Sequence, residues 1–347
     1  MATSRSLVAG HTVSRKVFLV AALLALVAPA AWGNSVSYSL DDFAVFGGSG
    51  VFLSGNGITV AGRTGSNGGL SAFGTGVTTG PVLTGGGIYF DEGSHIGAII
   101  ANQSVFIPDG STVGGGIDAG GTPDGHGGYI GGVYLGPGAT VAGSVTAGGG
   151  VYLGLGATVT GAISQGVPEA LRQTMAAVDA SARRTDFDAS DPLILISGTT
   201  QVLSAGAHYY TSIDAESNVV LHIDPWVSGR TATAPVSLFV TGNVTFGNGL
   251  QVFILNQAGA PVPFADALAD PVLSAAALAG YAETHGNWSS GGQWLGTMYA
   301  PDGSIYLSTG TATGPVWAGG NVNIYDDVNI YGGTRVGMIP EPLTLAG

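Results

Sequence analysis

Along residues 132–164 the chain reads GVYLGPGATVAGSVTAGGGVYLGLGATVTGAIS, and its apolar positions keep a fixed rhythm. VYLGPGATVAGSV begins at Val133 and VYLGLGATVTGAI at Val151, a step of 18 residues. Split into sixes from Leu135 (LGPGAT, VAGSVT, AGGGVY, LGLGAT, VTGAIS), each hexad opens on an aliphatic residue or Ala and carries Ala, Val or Ile in fifth place. Side chains alternate across a strand, so the first and fifth positions both point inward while the chain turns between them. Glycine at the turns supplies backbone angles that other residues reach only under strain. Three hexads then make one coil of a three-sided parallel β-helix, with equivalent residues stacked about 4.8 Å apart.

The rhythm extends in both directions. IYFDEGSHIGAII starts at Ile88 and VFIPDGSTVGGGI at Val105, 17 residues on. The columns expected are Ile88, Ser94, Ile100; Val105, Ser111, Ile117; Val133, Ala139, Val145; and Val151, Ala157, Ile163. From Val105 to Val133 the step carries a ten-residue excess, which GGTPDGHGGY (residues 120–129) accommodates as a loop. VFLSGNGITVAG at Val51 lies about two coils upstream of Ile88. IYLSTGTATGPVWAGG at Ile305 and VNIYDDVNIYGG at Val322 repeat the signal near the other end, again 17 residues apart. Between the two sets of repeats, residues 201–224 and 236–255 alternate as strands. The fold class predicted is all-β, a parallel β-helix (β-solenoid) with coils of about 18 residues, its two segments at 34–166 and 191–335 belonging to one stack.

Two stretches change period. In residues 167–184 (VPEALRQTMAAVDASARR), Ala170, Leu171, Met175, Val178 and Ala182 follow Pro168 at helical spacing. The pattern predicts one long helix lying along the coils, with Ala170, Leu171, Met175 and Val178 buried and a connector running to residue 190. A Pro-interrupted helical insertion is predicted near 264–285.

Composition narrows the classes. Gly is 61 of 347 residues but shows no Gly-X-Y period, which excludes collagen, and 45 % hydrophobic content argues against disorder. There is no cysteine, so the fold holds by core and ladder, and thiol catalysis is excluded. Arg5, Arg15 and Lys16 precede VFLVAALLALVA and then Ala31-Trp32-Gly33, the order of a secretory signal peptide over residues 1–33. Beyond residue 33 the chain keeps six Arg, no Lys and all 22 acidic residues, a formal charge of −16. Such a surface repels nucleic acid and anionic headgroups.

The last residues, MIPEPLTLAG, place Pro340, Glu341 and Pro342 before Leu343, Thr344, Leu345, Ala346 and Gly347. With the signal peptide and the Gly-rich acidic body, this resembles the PEP-CTERM proteins of Gram-negative bacteria. The resemblance implies a sorting motif at Pro340, Glu341 and Pro342 read by exosortase, with a secreted destination at the cell surface or in the extracellular matrix. The family signal continues into a transmembrane helix and a basic cluster, so membrane contact is expected only through a tail beyond Gly347. A looser resemblance covers residues 200–335. LSAGAHYYTSIDAESNVVLHID, VSLFVTGNVTF and WLGTMYAPDGSIYLSTGTATGPVWAGGNVNI are similar to a recurrent bacterial surface β-helix module. FAVFGGSGV (residues 43–51) and the order of coils, helix and coils resemble β-solenoid ice-binding proteins. Their flat Thr faces are matched here by a two-coil column at most, from Thr140, Thr158 and Thr160, with one further coil at TGTATG (309–314).

Chemistry-bearing patterns are sparse. His95, His126, His208, His222 and His285 accompany no G-x-S-x-G elbow and read as solvated or structural. At this glycine content G-x-G-x-x-G arises by chance about twice, and no Lys completes a phosphate loop. Asp326-Asp327, with Asp302 upstream and Arg335 nearby, is the best carboxylate pair for a polysaccharide-cleaving enzyme on this fold. Asp186, Asp188 and Asp191 offer oxygens to Ca²⁺ but lack the Gly and Glu of an EF-hand loop. No catalytic residue, cofactor or metal is expected. Tyr134 and Tyr152 occupy one place in successive coils, flanked by inward Val and Leu, with Tyr89 and Phe106 matching them. This outward column either packs under the covering helix or stacks on sugar rings. The function expected is a non-catalytic surface or extracellular-matrix protein of a biofilm, contacting exopolysaccharide through Tyr134 and Tyr152. The alternatives are a polysaccharide-active β-helix enzyme and an ice-binding β-solenoid.

Overall fold

The computed structural model describes residues 34–123 and 129–332. The expected signal peptide and the Pro340-Glu341-Pro342 motif lie outside them. The described chain is a three-sided parallel β-solenoid. In a typical coil the three sides are Gly132–Leu135, Thr140–Val141 and Val145–Ala147. Their inward residues Val133, Leu135, Ala139, Val141, Val145 and Ala147 are all buried, the hexad positions the sequence marks. Val105, Val133 and Val151 stack in register, as do Tyr134 and Tyr152. The third column needs a correction. Ile99, not Ile100, pairs with Ile117, and Ile100 pairs with Asp118 on the outer surface. The ten-residue excess leaves the stack as an antiparallel pair, Thr122–Pro123 with Tyr129–Ile130.

The order of the coils is not the order of the chain. On the third side, twelve strands line up from Ile163–Ser164 through Val145–Ala147, Ile117–Ala119, Ile99–Ala101, Val82–Thr84 and Thr64–Ser66 to Val45–Gly47. The next strand is Val316–Ala318, and the row continues through Thr297–Ala300, Tyr281–Thr284 and Val236–Val240 to Gly206–Tyr210. Each of these pairings is parallel; at the seam Val45 faces Val316, Phe46 faces Trp317, and on the next side Val51 faces Val322. The first segment therefore climbs away from the seam. The chain then returns along the outside of the whole stack, and the second segment coils back to the seam from the opposite end.

That return passage is not the helix predicted over residues 167–184. A 3₁₀ turn at Glu169–Leu171 leads into a strand, Gln173–Met175, and an extended run comes next. The reason is reach. Met175 is held by Asn102 and Val178 by Asn67, and these asparagines lie two coils apart, because Ser66, Thr84 and Ala101 just before them stack in register. Three residues thus advance two coil spacings, about 3.2 Å per residue, which is extended chain; a helix rises only about 1.5 Å per residue and would not cover one coil. Each asparagine amide also acts as a strand partner. Asn102 donates to the Met175 carbonyl at 2.9 Å and accepts from the Met175 N–H at 2.8 Å; Asn67 makes both bonds to Val178 at 2.7 Å. A helix uses those backbone groups internally and could not offer them. The predicted buried face is half right: Met175 and Val178 are buried, Ala170 is half-buried, and Leu171 is 72 % exposed.

The returning strap, with Asn34–Val36 paired parallel along it, roofs the outer surface of the third side. Beneath it, register aligns Ile100, Leu83, Gly65, Phe46, Trp317, Tyr299, Glu283, Phe239 and Tyr209 into one column that crosses the seam. Leu40, Phe43, Met175 and Val178 close over Phe46, Leu83, Tyr299 and Trp317 to form a second apolar core. Gly65 is required here, because a Cβ on it would lie 2.9 Å from the Phe43 ring Cζ and nearer still to other ring atoms. The insertion forms helices Phe264–Ala269 and Pro271–Leu278, after which Tyr281–Thr284 rejoins the stack. None of the helices is long and apolar enough to cross a membrane among the described residues.

Candidate functional site

The strap leaves the first side of the stack open, and the aromatic column stands there. Tyr89, Phe106, Tyr134 and Tyr152 are in register on four successive coils. Because the strands are parallel and in register, successive rings from Tyr89 to Tyr134 meet face to face. Tyr89 and Phe106 stack at 5.1 Å and 8°, Phe106 and Tyr134 at 4.7 Å and 1°, and Phe73 leans on Tyr89 at 5.5 Å. The expectation that a helix covers this column does not hold, since the covering segment lies on a different side.

Stacking has a chemical consequence. Rings that cover each other's faces present only edges to solvent, whereas a sugar's apolar face packs on a ring face. Tyr152 differs from the rest. It stands after Tyr134 in register yet folds along its own strand over Gly150, where a Cβ would lie 2.9 Å from its Cε2, Cζ and Oη. With one ring side on the glycine and 62 % of the residue exposed, it is the column's free platform. Tyr134 is exposed at the end of the stacked set.

A second row occupies the neighbouring side. Register places Thr311, Asn329, Thr59, Thr78, His95, Thr112, Thr140 and Thr158 in line over eight coils. The row crosses the seam and is much longer than the two-coil column expected from the sequence. It is one side chain wide; Thr160 instead turns its hydroxyl to the Ala142 carbonyl at 2.6 Å.

The densest group of ionisable side chains lies beneath the strap. Glu283 is fully buried and accepts from the Tyr281 hydroxyl at 2.8 Å, the Thr185 N–H at 2.8 Å and His285 Nε2 at 3.2 Å. Asp302 pairs with Arg184 at 3.2 Å and lies 4.0 Å from His285 Nδ1. Burial, reinforced by the bond to Glu283, pushes the Tyr281 hydroxyl far above its ordinary pKa; burial pushes Tyr299 up to about 12. Glu, His and Asp in one cluster suggest acid–base chemistry, yet Thr185 and Phe187 roof them, Phe187 lying 4.8 Å from the His285 ring. The arrangement is a latch that fixes the far half of the strap. Glu283 is not among the residues the sequence pattern singles out; the period-two alternation of YAETH, which puts Tyr281, Glu283 and His285 on one side of a strand, is the signal that could have found it.

The other carboxylates are dispersed. Asp326 accepts from the Asn56 N–H at 3.0 Å and Asp327 sits at a corner with φ of 55°, while Asp302 belongs to the latch. Asp186 pairs with Arg184 at 3.6 Å and Asp191 with the Ser190 hydroxyl at 2.9 Å. No cluster of three metal-ligating side chains occurs among the described residues. Compared with protein-family models, curated proteins and solved structures, the chain matches none of them significantly.

Proposed function

We propose that this is a non-catalytic surface or extracellular-matrix protein that contacts polysaccharide along the first side of its solenoid, and that it is exported and sorted through the Pro340-Glu341-Pro342 signal. The observation that carries the reading is the open aromatic column ending in Tyr152. Its internal rings make a rigid apolar edge, and the Tyr152 face supplies the stacking surface that a pyranose ring needs. Binding is weak at each ring and gains strength when one polymer engages several copies.

The test is retention of the purified protein on exopolysaccharide from the producing cells. Tyr152→Ala is expected to reduce retention most, by about tenfold for the loss of one stacked ring worth about 1.4 kcal/mol. Phe106→Ala is expected to matter less, and Tyr134→Ala to fall between. Equal retention by all variants overturns the aromatic-face reading, and turnover of the polymer overturns the non-enzyme reading in favour of a glycan-active enzyme. The eight-coil polar row, threonine at six of its positions with Asn329 and His95 between them, favours one second reading, ordering of water at an ice surface. Thermal hysteresis that disappears in Thr112→Asp and persists in Tyr152→Ala identifies it.

A further inference from the structure

The coil at residues 150–164 ends the stack, and nothing among the described residues lies over it. Its inward positions are Val151, Leu153, Ala157, Val159 and Ile163. Their counterparts one coil earlier, Val133, Leu135, Ala139, Val141 and Val145, are completely buried, whereas Leu153 is 48 % and Ile163 44 % exposed. These five side chains thus form the solenoid's own core, uncovered on one side. An open end of this kind also presents unpaired ladder groups, a template for another chain. Only one corner is blocked: Gln165 Oε1 accepts the Val151 N–H at 3.1 Å.

We infer that this end is a homotypic interface at which two copies of the chain stack end to end about a two-fold axis. Three observations choose a second copy as the occupant. First, no residue from Tyr129 to Pro168 carries a charge, in a chain with 22 acidic and nine basic residues. Two acidic molecules repel one another over most of their surfaces, and this end is where they approach without that cost. Second, the surface presented has a close equivalent inside the molecule. The coil starting at Val133 offers the same positions, and the coil starting at Val151 docks on it in register. That junction is parallel and seats the other face of a coil. It shows that such a face accepts a layer of apolar side chains, which the same five positions of a two-fold copy supply with strands antiparallel. Third, the size suits a reversible contact. Sides of six residues at about 3.3 Å each give a triangular face about 20 Å on edge, so two copies bury less than about 1,200 Å², the class of weak association.

The opposite end does not serve as the complement. Its coil advances 20 residues from Leu193 to Ile213, with strands of three, five and five residues against four, two and two at the open end. Asp188 and Asp191 precede it, and Asp214 and Glu216 lie on the coil beside it. Pairing like end with like end closes the assembly at a dimer, with strands running antiparallel across the new junction.

Sedimentation velocity of the full secreted chain over a roughly hundredfold range of concentration tests this. The expected result is a monomer–dimer equilibrium that stops at the dimer. Leu153→Lys places a charge in the contact and is expected to weaken the dimer by at least about tenfold, the effect of about 1.4 kcal/mol. Leu155→Glu changes a residue that is 90 % exposed at a corner of the same coil, so folding is preserved; its like charges at the rim are expected to weaken the dimer similarly. Ile196→Lys, exposed at the other end of the stack, leaves association unchanged. A monomer at every concentration, a dimer indifferent to Leu155→Glu, sensitivity to Ile196→Lys, or growth beyond the dimer into filaments each overturns the proposal.

Discussion

Asn102→Ala removes both hydrogen bonds that fix Met175, at 2.9 and 2.8 Å, while leaving the coil's own backbone ladder in place. Each such bond contributes about 1 kcal/mol net, and a buried N–H or C=O left without a partner costs about 1–3 kcal/mol. The perturbation is therefore worth about 2–3 kcal/mol, and it falls on the strap, not on the solenoid. Trypsin reads this directly, because the chain beyond residue 33 has no Lys and six Arg, of which Arg172, Arg183 and Arg184 lie on the strap. Arg172 is 3 % exposed, with its guanidinium bonded to the Val167 and Ala119 carbonyls, so cleavage there requires local opening. When opening and closing are fast relative to cleavage, the rate tracks the open population. A change of about 2.8 kcal/mol then accelerates cleavage at Arg172 by about a hundredfold. Arg230, away from the strap, should be cleaved at an unchanged rate. Asn102→Asp keeps the acceptor for the Met175 N–H but turns an oxygen toward the Met175 carbonyl, and is expected to be as damaging as alanine. The reasoning fails if Arg172 is cleaved less than about threefold faster in Asn102→Ala, or if all sites accelerate together.

Three further outcomes are expected. Gly65→Ala forces a Cβ into the Phe43 ring and should lower stability in urea by about 1–3 kcal/mol, whereas Gly114→Ala, whose Cβ meets nothing nearer than 3.7 Å, should be close to neutral. Glu283→Ala strips the acceptor from the Tyr281 hydroxyl and the Thr185 N–H, so tryptic cleavage at Arg183 and Arg184 should increase while that at Arg63 does not. Asp118 has one buried oxygen without a partner, and burial raises its pKa against the opposing pull of the Gln173 N–H and of Arg172. A carboxyl whose pKa is higher folded than unfolded adds stability at low pH and loses it as pH rises through the folded value. Asp118→Asn should consequently raise the urea midpoint at about pH 7 and leave it nearly unchanged at about pH 3, below both values.

The coils were legible in the sequence because a repeat writes the same packing rule several times. Val105, Val133 and Val151 share strand neighbours and inward direction. Ile100 was misplaced because the step from Ile88 to Val105 is one residue short and the shortfall falls before Ile99, moving the inward position by one. The order of the coils left no trace, since the seam between Val45 and Val316 is made of backbone bonds and stacked aliphatics like those of every other junction. The strap was misread for a more specific reason. Its buried residues, Arg172, Met175 and Val178, recur every third position. That interval lies close to the 3.6 of a helix and is equally that of an extended chain with three residues per turn. Only the asparagines on other coils, more than 70 residues away in sequence, distinguish the two. The aromatic column was found from its repeat, but its stacked rings and the departure of Tyr152 depend on side-chain geometry that spacing does not encode.

The seam also determines how the molecule can be held. Since the first coil lies against the last, the chain enters the stack at Ala44 beside the last described residue, Gly332, where a Cβ would touch the Ala44 Cα. Ala44 and Gly332 are thus side by side at the waist of a rod that extends about six coils, or roughly 29 Å, toward Ile163 and about five coils, or roughly 24 Å, toward Tyr210. A tether attached after Gly332 would grip the rod as a hand grips the middle of a baton. Were that tether fixed to a surface, the rod would lie along it with its long open side turned outward, and force on the tether would load the central junction between the two halves before it reached either end.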